Sequence, residues 1–125
     1  MTKIPLVVLQ TLTDRWNAHD EEAVYDLLDD HYREYLNGVL VKNGQSAARA
    51  TDRIIYDAVP DYRREVDELY ADHEGGAMRW RFIGTGPNGA FEVSLASTYR
   101  IRGGKITEAW IYGDPTVFTA VLAKV

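Results

Sequence analysis

Residues able to move a proton gather near the end of this sequence, where Asp114 follows Trp110 and Tyr112 in a run that reads as a final β-strand. An aspartate on an apolar wall loses hydration, which disfavours its charged form and raises its pKa toward the range useful for carbon acids. A phenol such as Tyr112 can hydrogen-bond the enolate that forms. The same residues also fit a structural role: Asp114-Pro115 ahead of Val117, Phe118, Val121 and Leu122 is a helix N-cap with Pro at the first helical position. Capping favours the carboxylate and lowers its pKa, so the two roles oppose each other. A second acid is available upstream. Glu34 and Tyr35 are strand neighbours, and alternation lets only one of them face inward. Glu34 is then either a pocket acid or an outer charge paired with Arg33 or Arg64.

Two tight turns set the faces on which these groups stand. With Pro87 and Asn88 as the tip of Gly86-Pro87-Asn88-Gly89, Phe82 meets Val93, Trp80 meets Leu95 and Met78 meets Ser97. Gly103-Gly104 is a two-residue hairpin signal that needs positive φ. Counted from it, Ile101 faces Ile106, Tyr99 faces Glu108, Ser97 faces Trp110, Leu95 faces Tyr112 and Val93 faces Asp114. One side of the sheet then carries the rows Trp80-Leu95-Tyr112, Met78-Ser97-Trp110 and Phe82-Val93-Asp114. Arg79, Arg81, Glu92, Ser94, Thr98, Arg100 and Thr107 fall on the other side, so both arginines point outward. A slip of one residue would invert every side chain. Trp16, Met78, Trp80, Leu95, Trp110 and Tyr112 are the expected pocket walls, with Ser97 and Tyr112 supplying hydrogen bonds.

The remaining elements must cover that face. Val8, Leu12 and Trp16 recur four apart, predicting an amphipathic helix from about Ile4 to Ala18. Asp20 caps a short second helix that opens with Glu21 and Glu22, with Val24, Leu27 and Leu28 inward. His31 to Leu36 reads as extended and turns back at Asn37-Gly38 through Val39 to Val41. A helix starts at Asn43-Gly44, with Ala47, Ala50, Ile54 and Ala58 on one stripe, and stops at Pro60. Strands follow over Tyr62 to Ala71, Ala77 to Ile83, Phe91 to Ile101 and Ile106 to Tyr112. Helices first and a long antiparallel meander after them make an α+β plan, with helices on one face of a curved sheet.

Composition narrows the functions. The 125 residues suffice for one self-supporting domain, expected over 1–125. Fourteen Lys and Arg against nineteen Asp and Glu give a net charge of −5, with no basic cluster, which argues against nucleic acid as a partner. No cysteine is present, and His19, His31 and His73 stand far apart, so a metal site has little support. No Gly-rich phosphate loop follows a strand and Gly-x-Ser-x-Gly is absent, which argues against nucleotide cofactors and an α/β-hydrolase nucleophile. The apolar start, Ile4 to Leu12, is broken by Pro5 and Gln10 and is too short to span a bilayer. A cytoplasmic protein with no membrane partner is the expectation.

"WNAHDEEAVYDLLDD", "NGQSA", "VPDYRREV", "GGAMRWRFIGTG" and "YRIRGGKITEAW", in this order and spacing with Asp114 beyond, resemble the SnoaL-like polyketide cyclases. These belong to the nuclear transport factor 2-like superfamily, with ketosteroid isomerase, scytalone dehydratase and limonene epoxide hydrolase. The resemblance covers nearly the whole chain. It implies a cone-shaped α+β barrel with a pocket between curled sheet and helices, no cofactor, and a homodimer. It also implies that Asp114 is the acid/base of an aldol cyclisation, isomerisation or dehydration of a small hydrophobic, oxygenated molecule. The isomerase's polar positions hold Leu12, about Leu36, and Ser97. Of the epoxide hydrolase set only Arg81 matches, since Ile83 and about Ile111 replace the acids. The hairpin at Pro87 is shorter than the family's usual loop, implying a more open pocket mouth. The rival reading is a pocket that holds a ligand without chemistry, or a filled core under a dimerising sheet.

Overall fold

The computed structural model describes residues 3–122, with side chains for 4–119. Helices α1 (Lys3–Asn17), α2 (Glu21–Tyr25) and α3 (Gln45–Ala58) enclose strands β1 (Leu28–Leu36) and β2 (Val39–Asn43) in sequence. The meander β3 (Arg63–Ala71), β4 (Gly75–Gly86), β5 (Gly89–Arg102) and β6 (Lys105–Gly113) follows, then α4 (Thr116–Leu122). All strands join one curved, unclosed sheet in the order β2-β1-β6-β5-β4-β3, antiparallel throughout except for the β1–β6 pair. The α+β architecture expected from the sequence is the observed one, with α1, α2 and α3 over the concave face. Val121 and Leu122 of the expected last helix have side chains outside the described residues.

Local chemistry explains the boundaries. Asp20 accepts a hydrogen bond from the Ala23 amide at 3.3 Å and opens α2. Asn37 and Gly38 take φ of 49° and 85°, the left-handed pair that a two-residue hairpin between β1 and β2 requires. α3 has no side-chain cap at Gly44; instead Gln45 Nε2 donates to the Tyr25 and Leu28 carbonyls at 3.2 and 3.1 Å, tying the helix start to the α2–β1 junction. Its inward stripe is Ala48, Asp52, Ile55 and Tyr56, one residue round from the expected Ala47, Ala50, Ile54 and Ala58. Each stripe offers an isoleucine, Ile54 or Ile55, so the aromatic Tyr56 distinguishes the face that turns in, and it carries Asp52 with it.

The β4–β5 register is as expected, with Trp80 opposite Leu95, Phe82 opposite Val93 and Met78 opposite Ser97. The β5–β6 register departs from expectation by one residue. Ile101 does pair with Ile106, but Arg100 already pairs with Glu108, leaving Thr107 as an extra residue whose hydroxyl donates to the Arg100 carbonyl at 3.2 Å. This β-bulge exchanges the faces of everything that follows. Ala109 and Ile111 turn to the concave side; Trp110 and Tyr112 turn away from it. The cause is Glu108. Without the bulge it would point into the core beside Tyr99, a buried charge with no partner. With it, Glu108 lies outside, 3.1 Å from Arg33.

Candidate active site

Between the helices and the concave face lies a cavity of about 130 Å³, walled by Trp16, Ile55, Trp80, Phe82, Ala109 and Ile111. Phe118 of α4 also borders it and stacks on Phe82, ring centroids 5.3 Å apart. Polar and charged side chains interrupt this apolar wall, among them Tyr32, Glu34, Lys42, Asp52 and Arg64. Four of them form one cluster. Strand alternation brings Tyr32 and Glu34 inward from β1, β2 contributes Lys42, and α3 contributes Asp52.

Lys42 Nζ lies 3.0 Å from Glu34 Oε2 and 2.5 Å from Asp52 Oδ1. The other carboxylate oxygens accept phenol protons: Tyr32 donates to Glu34 Oε1 at 2.7 Å and Tyr25 to Asp52 Oδ2 at 2.8 Å. The three charged side chains keep only 10–13% of their exposure. Taking charges out of water is costly, and this geometry offsets the cost by giving every carboxylate oxygen a donor. Burial pulls the Lys42 ammonium down, but the facing Asp52 and Glu34 charges outweigh it and hold its pKa well above the ordinary lysine value. Burial first, and the adjoining carboxylate second, push the Tyr25 and Tyr32 phenols far up, so both stay protonated donors. With both acids ionised the cluster carries one negative charge in excess of its lysine. Each carboxylate oxygen retains a lone pair for an incoming proton.

At another part of the wall, Arg64 keeps 8% of its exposure. Its guanidinium lies 4.6 Å from the Trp16 ring centre and 4.1 Å from that of Trp80. Trp16 Nε1 donates to the Tyr56 hydroxyl at 2.8 Å, and Trp80 Nε1 to Ser97 Oγ at 2.8 Å, so both indoles are held in place. Burial, then the Asp52 charge, pushes the Tyr56 phenol up.

Of the residues anticipated as site members, Trp16, Trp80 and Glu34 line the cavity. Glu34, not Tyr35, is the inward neighbour; Tyr35 stacks outside on Trp110 with centroids 5.7 Å apart and planes 6° apart. Met78, Leu95 and Ser97 are buried behind the cavity wall rather than exposed to it, and Ser97 is spent on Trp80. Tyr112 is 47% exposed, so the expected row Trp80-Leu95-Tyr112 ends at Leu95, which faces Gly113. Asp114 also departs from its expected place opposite Val93. Asn37 Nδ2 donates to the Gly113 carbonyl at 2.8 Å and Asn37 Oδ1 accepts from the Gly113 amide at 3.1 Å, and the chain then leaves the sheet. Asp114 is exposed and accepts from the Thr116 hydroxyl and amide at 2.5 and 3.0 Å, which holds its carboxyl below the usual aspartate range. Its Oδ1 thus serves the start of α4.

Lys42, Asp52, Tyr56 and Arg64 were not anticipated. A charged residue on the face that Ile55 and Tyr56 turn inward was the available signal for Asp52. For Arg64 it was the alternation of Tyr62, Arg64 and Val66. Among the described residues no group of three or more His, Asp or Glu is placed to hold a metal ion, and no helix is long and apolar enough to cross a membrane.

The fold is similar to that of several solved structures. AclR from Streptomyces galilaeus, described as a candidate hydroxylase, superposes with a TM-score of 0.80 at 16% identity, covering 100% of this chain and 99% of that one. IdmH from Streptomyces antibioticus, described as a candidate polyketide cyclase, gives 0.78 at 20% identity over 95% and 98%. An NTF2-like protein of unknown function from Burkholderia pseudomallei gives 0.81 at 15% identity over 94% and 96%. At these identities the likeness establishes the NTF2-like fold. Among curated proteins none matches the sequence. The family model for SnoaL-like polyketide cyclase matches residues 6–118, and the chain therefore belongs to the SnoaL-like polyketide cyclase family.

Proposed function

We propose that the protein is a cofactor-independent enzyme of the cyclase or isomerase type, acting on a small, hydrophobic, oxygenated molecule with Glu34 as the group that takes and returns the proton. The observation that carries this reading is an aromatic cavity into which a carboxylate–ammonium–carboxylate cluster projects. A Glu34 oxygen takes a proton from the carbon next to a substrate carbonyl; the C–H electron pair becomes the C=C bond of an enolate. In an aldol closure that carbon bonds to a second carbonyl carbon, and the new alkoxide takes the proton back. Lys42 stays protonated through the cycle and balances the carboxylate charge. The dry wall strengthens every electrostatic contact inside it.

Proton abstraction can be followed without the natural substrate. In D2O the protein should accelerate exchange at the α-carbons of cyclohexanone, read by NMR, and Glu34→Gln should reduce that acceleration about a hundredfold or more. A second reading has its own support, because Lys42 and the two phenols already engage both carboxylates: the cavity holds a ligand and does no chemistry. Binding of the ketone with no exchange above buffer would favour it.

We also propose a homodimer. Its support is an outer sheet face where the Tyr35–Trp110 stack and Tyr112 lie exposed or half-exposed; Ala109 and Ile111, expected on that face, turn inward instead. Light scattering at micromolar concentration should give twice the chain mass, and a single-chain mass would reject the dimer.

A further inference from the structure

Arg64 is a buried cation without an anionic partner among the described residues. Its neighbour in sequence, Arg63, faces outward and pairs with Glu65 at 3.2 Å, whereas Arg64 forms no salt bridge among the described residues. Its Nε–H has no hydrogen-bond partner, and Nη1 reaches only the Met78 sulfur at 3.6 Å, a weak acceptor. The Trp16 and Trp80 rings meet at 76° and the guanidinium sits in their corner. Cation–π attraction stabilises its charge but supplies no lone pair for its N–H donors. Such a group is costly to bury unless something completes it.

The backbone holds this residue in place. The Arg64 amide donates to Asn17 Oδ1 at 2.8 Å, and Asn17 Nδ2 donates to the Arg64 carbonyl at 2.9 Å, so the end of α1 pins the edge strand at this position. The side chain borders the same cavity as the Glu34 cluster, whose charge is opposite. We propose that Arg64 is an anion-recognition residue and that the ligand is a compact carboxylic acid built on one six-membered ring, its carboxylate held by the Arg64 donors. A guanidinium matches a carboxylate through parallel N–H···O bonds. A cavity of about 150 Å³ accommodates benzene, and this one is about 130 Å³. The proposal deepens the function proposed above and rests on it only for orientation: the carboxylate goes to Arg64, and the repelling Glu34–Asp52 end receives the neutral carbonyl.

Benzoate and its neutral isostere benzamide test the site by calorimetric titration of the whole protein. Benzoate should bind one to one and at least about tenfold more tightly than benzamide, the difference a charge-assisted pair supplies. Arg64→Met should abolish the preference while leaving benzamide binding in place; Arg64→Lys should retain part of it. In the wild type, the Arg64 Nε–H resonance should shift with benzoate and not with benzamide, a readout that needs no variant to fold. Equal affinities, no benzoate binding at millimolar concentration, an unshifted resonance, or a preference that survives Arg64→Met would each overturn the proposal. Glu34→Gln should keep the benzoate preference. Loss of cyclohexanone exchange with the preference intact would separate this site from the proton-transfer function, and exchange without the preference would sink the anion site alone.

Discussion

The two faces of the sheet use the same residue types for opposite ends. On the outer face Arg81 lies 2.8 Å from Glu65, 3.1 Å from Asp67 and 3.4 Å from Glu92, while Arg79 pairs with Glu68 and Asp67, all at exposed or partly exposed positions. On the inner face Lys42 is fixed between two buried carboxylates, and Arg64 has none among the described residues. Outside, any partner can replace another and solvent screens the loss. Inside, each charge has one geometry and no solvent to replace it. Charge of either sign reaches the cavity where strand alternation or the inward stripe of α3 carries it between sheet and helices.

Removing the cation from the inner cluster should break this contrast most visibly. Lys42→Met leaves two carboxylates facing each other in the wall and should cost about 3 kcal/mol or more of stability by urea unfolding. Arg81→Gln, which removes a cation with more carboxylates around it, should leave the urea midpoint nearly where it was. A similar loss in both variants would mean the inner cluster is as solvated as the outer ladder.

The phenols of the cluster sharpen the same point through pH. Tyr25 and Tyr32 have folded-state pKa values raised above the unfolded value of about 10. A group raised on folding contributes stability that is complete below its unfolded pKa and is lost as pH rises toward the folded one. The urea midpoint should therefore hold from neutral pH to about 10 and then decline, with Lys42 acting in the same direction. Tyr25→Phe should start lower, having lost the bond to Asp52, and should fall less steeply above that pH. An alkaline limb unchanged by Tyr25→Phe would place its phenol in solvent.

Much of the frame was legible because each element carried its own terminator: Asp20 before α2, Asn37-Gly38 between β1 and β2, Pro60 after α3, Gly86 to Gly89 between β4 and β5. The site was less legible for a physical reason. Residues 109–112 are Ala, Trp, Ile and Tyr, apolar on both faces, so hydrophobic alternation could not report which pair turned inward. Only the charge on Glu108 distinguished the registers. One bulge at Thr107 moved Trp110 and Tyr112 to the outer face, and beyond Gly113 the chain left the sheet with Asp114. The cluster itself joins β1, β2 and α3, elements whose side chains meet only in three dimensions, and no spacing along the chain announces that Lys42 stands between Glu34 and Asp52.

The smallest expected effect belongs to the residue that looked most chemical at first sight. Asparagine caps a helix about as well as aspartate, so Asp114→Asn should fold normally. Whether the proton-moving group sits in the cavity or at the end of β6 can be read from cyclohexanone exchange measured for Asp114→Asn and Glu34→Gln side by side under identical conditions. Asp114→Asn should keep the wild-type rate, and Glu34→Gln should lose about a hundredfold or more. The reverse pattern, with Glu34→Gln active and Asp114→Asn dead in an intact fold, would contradict it.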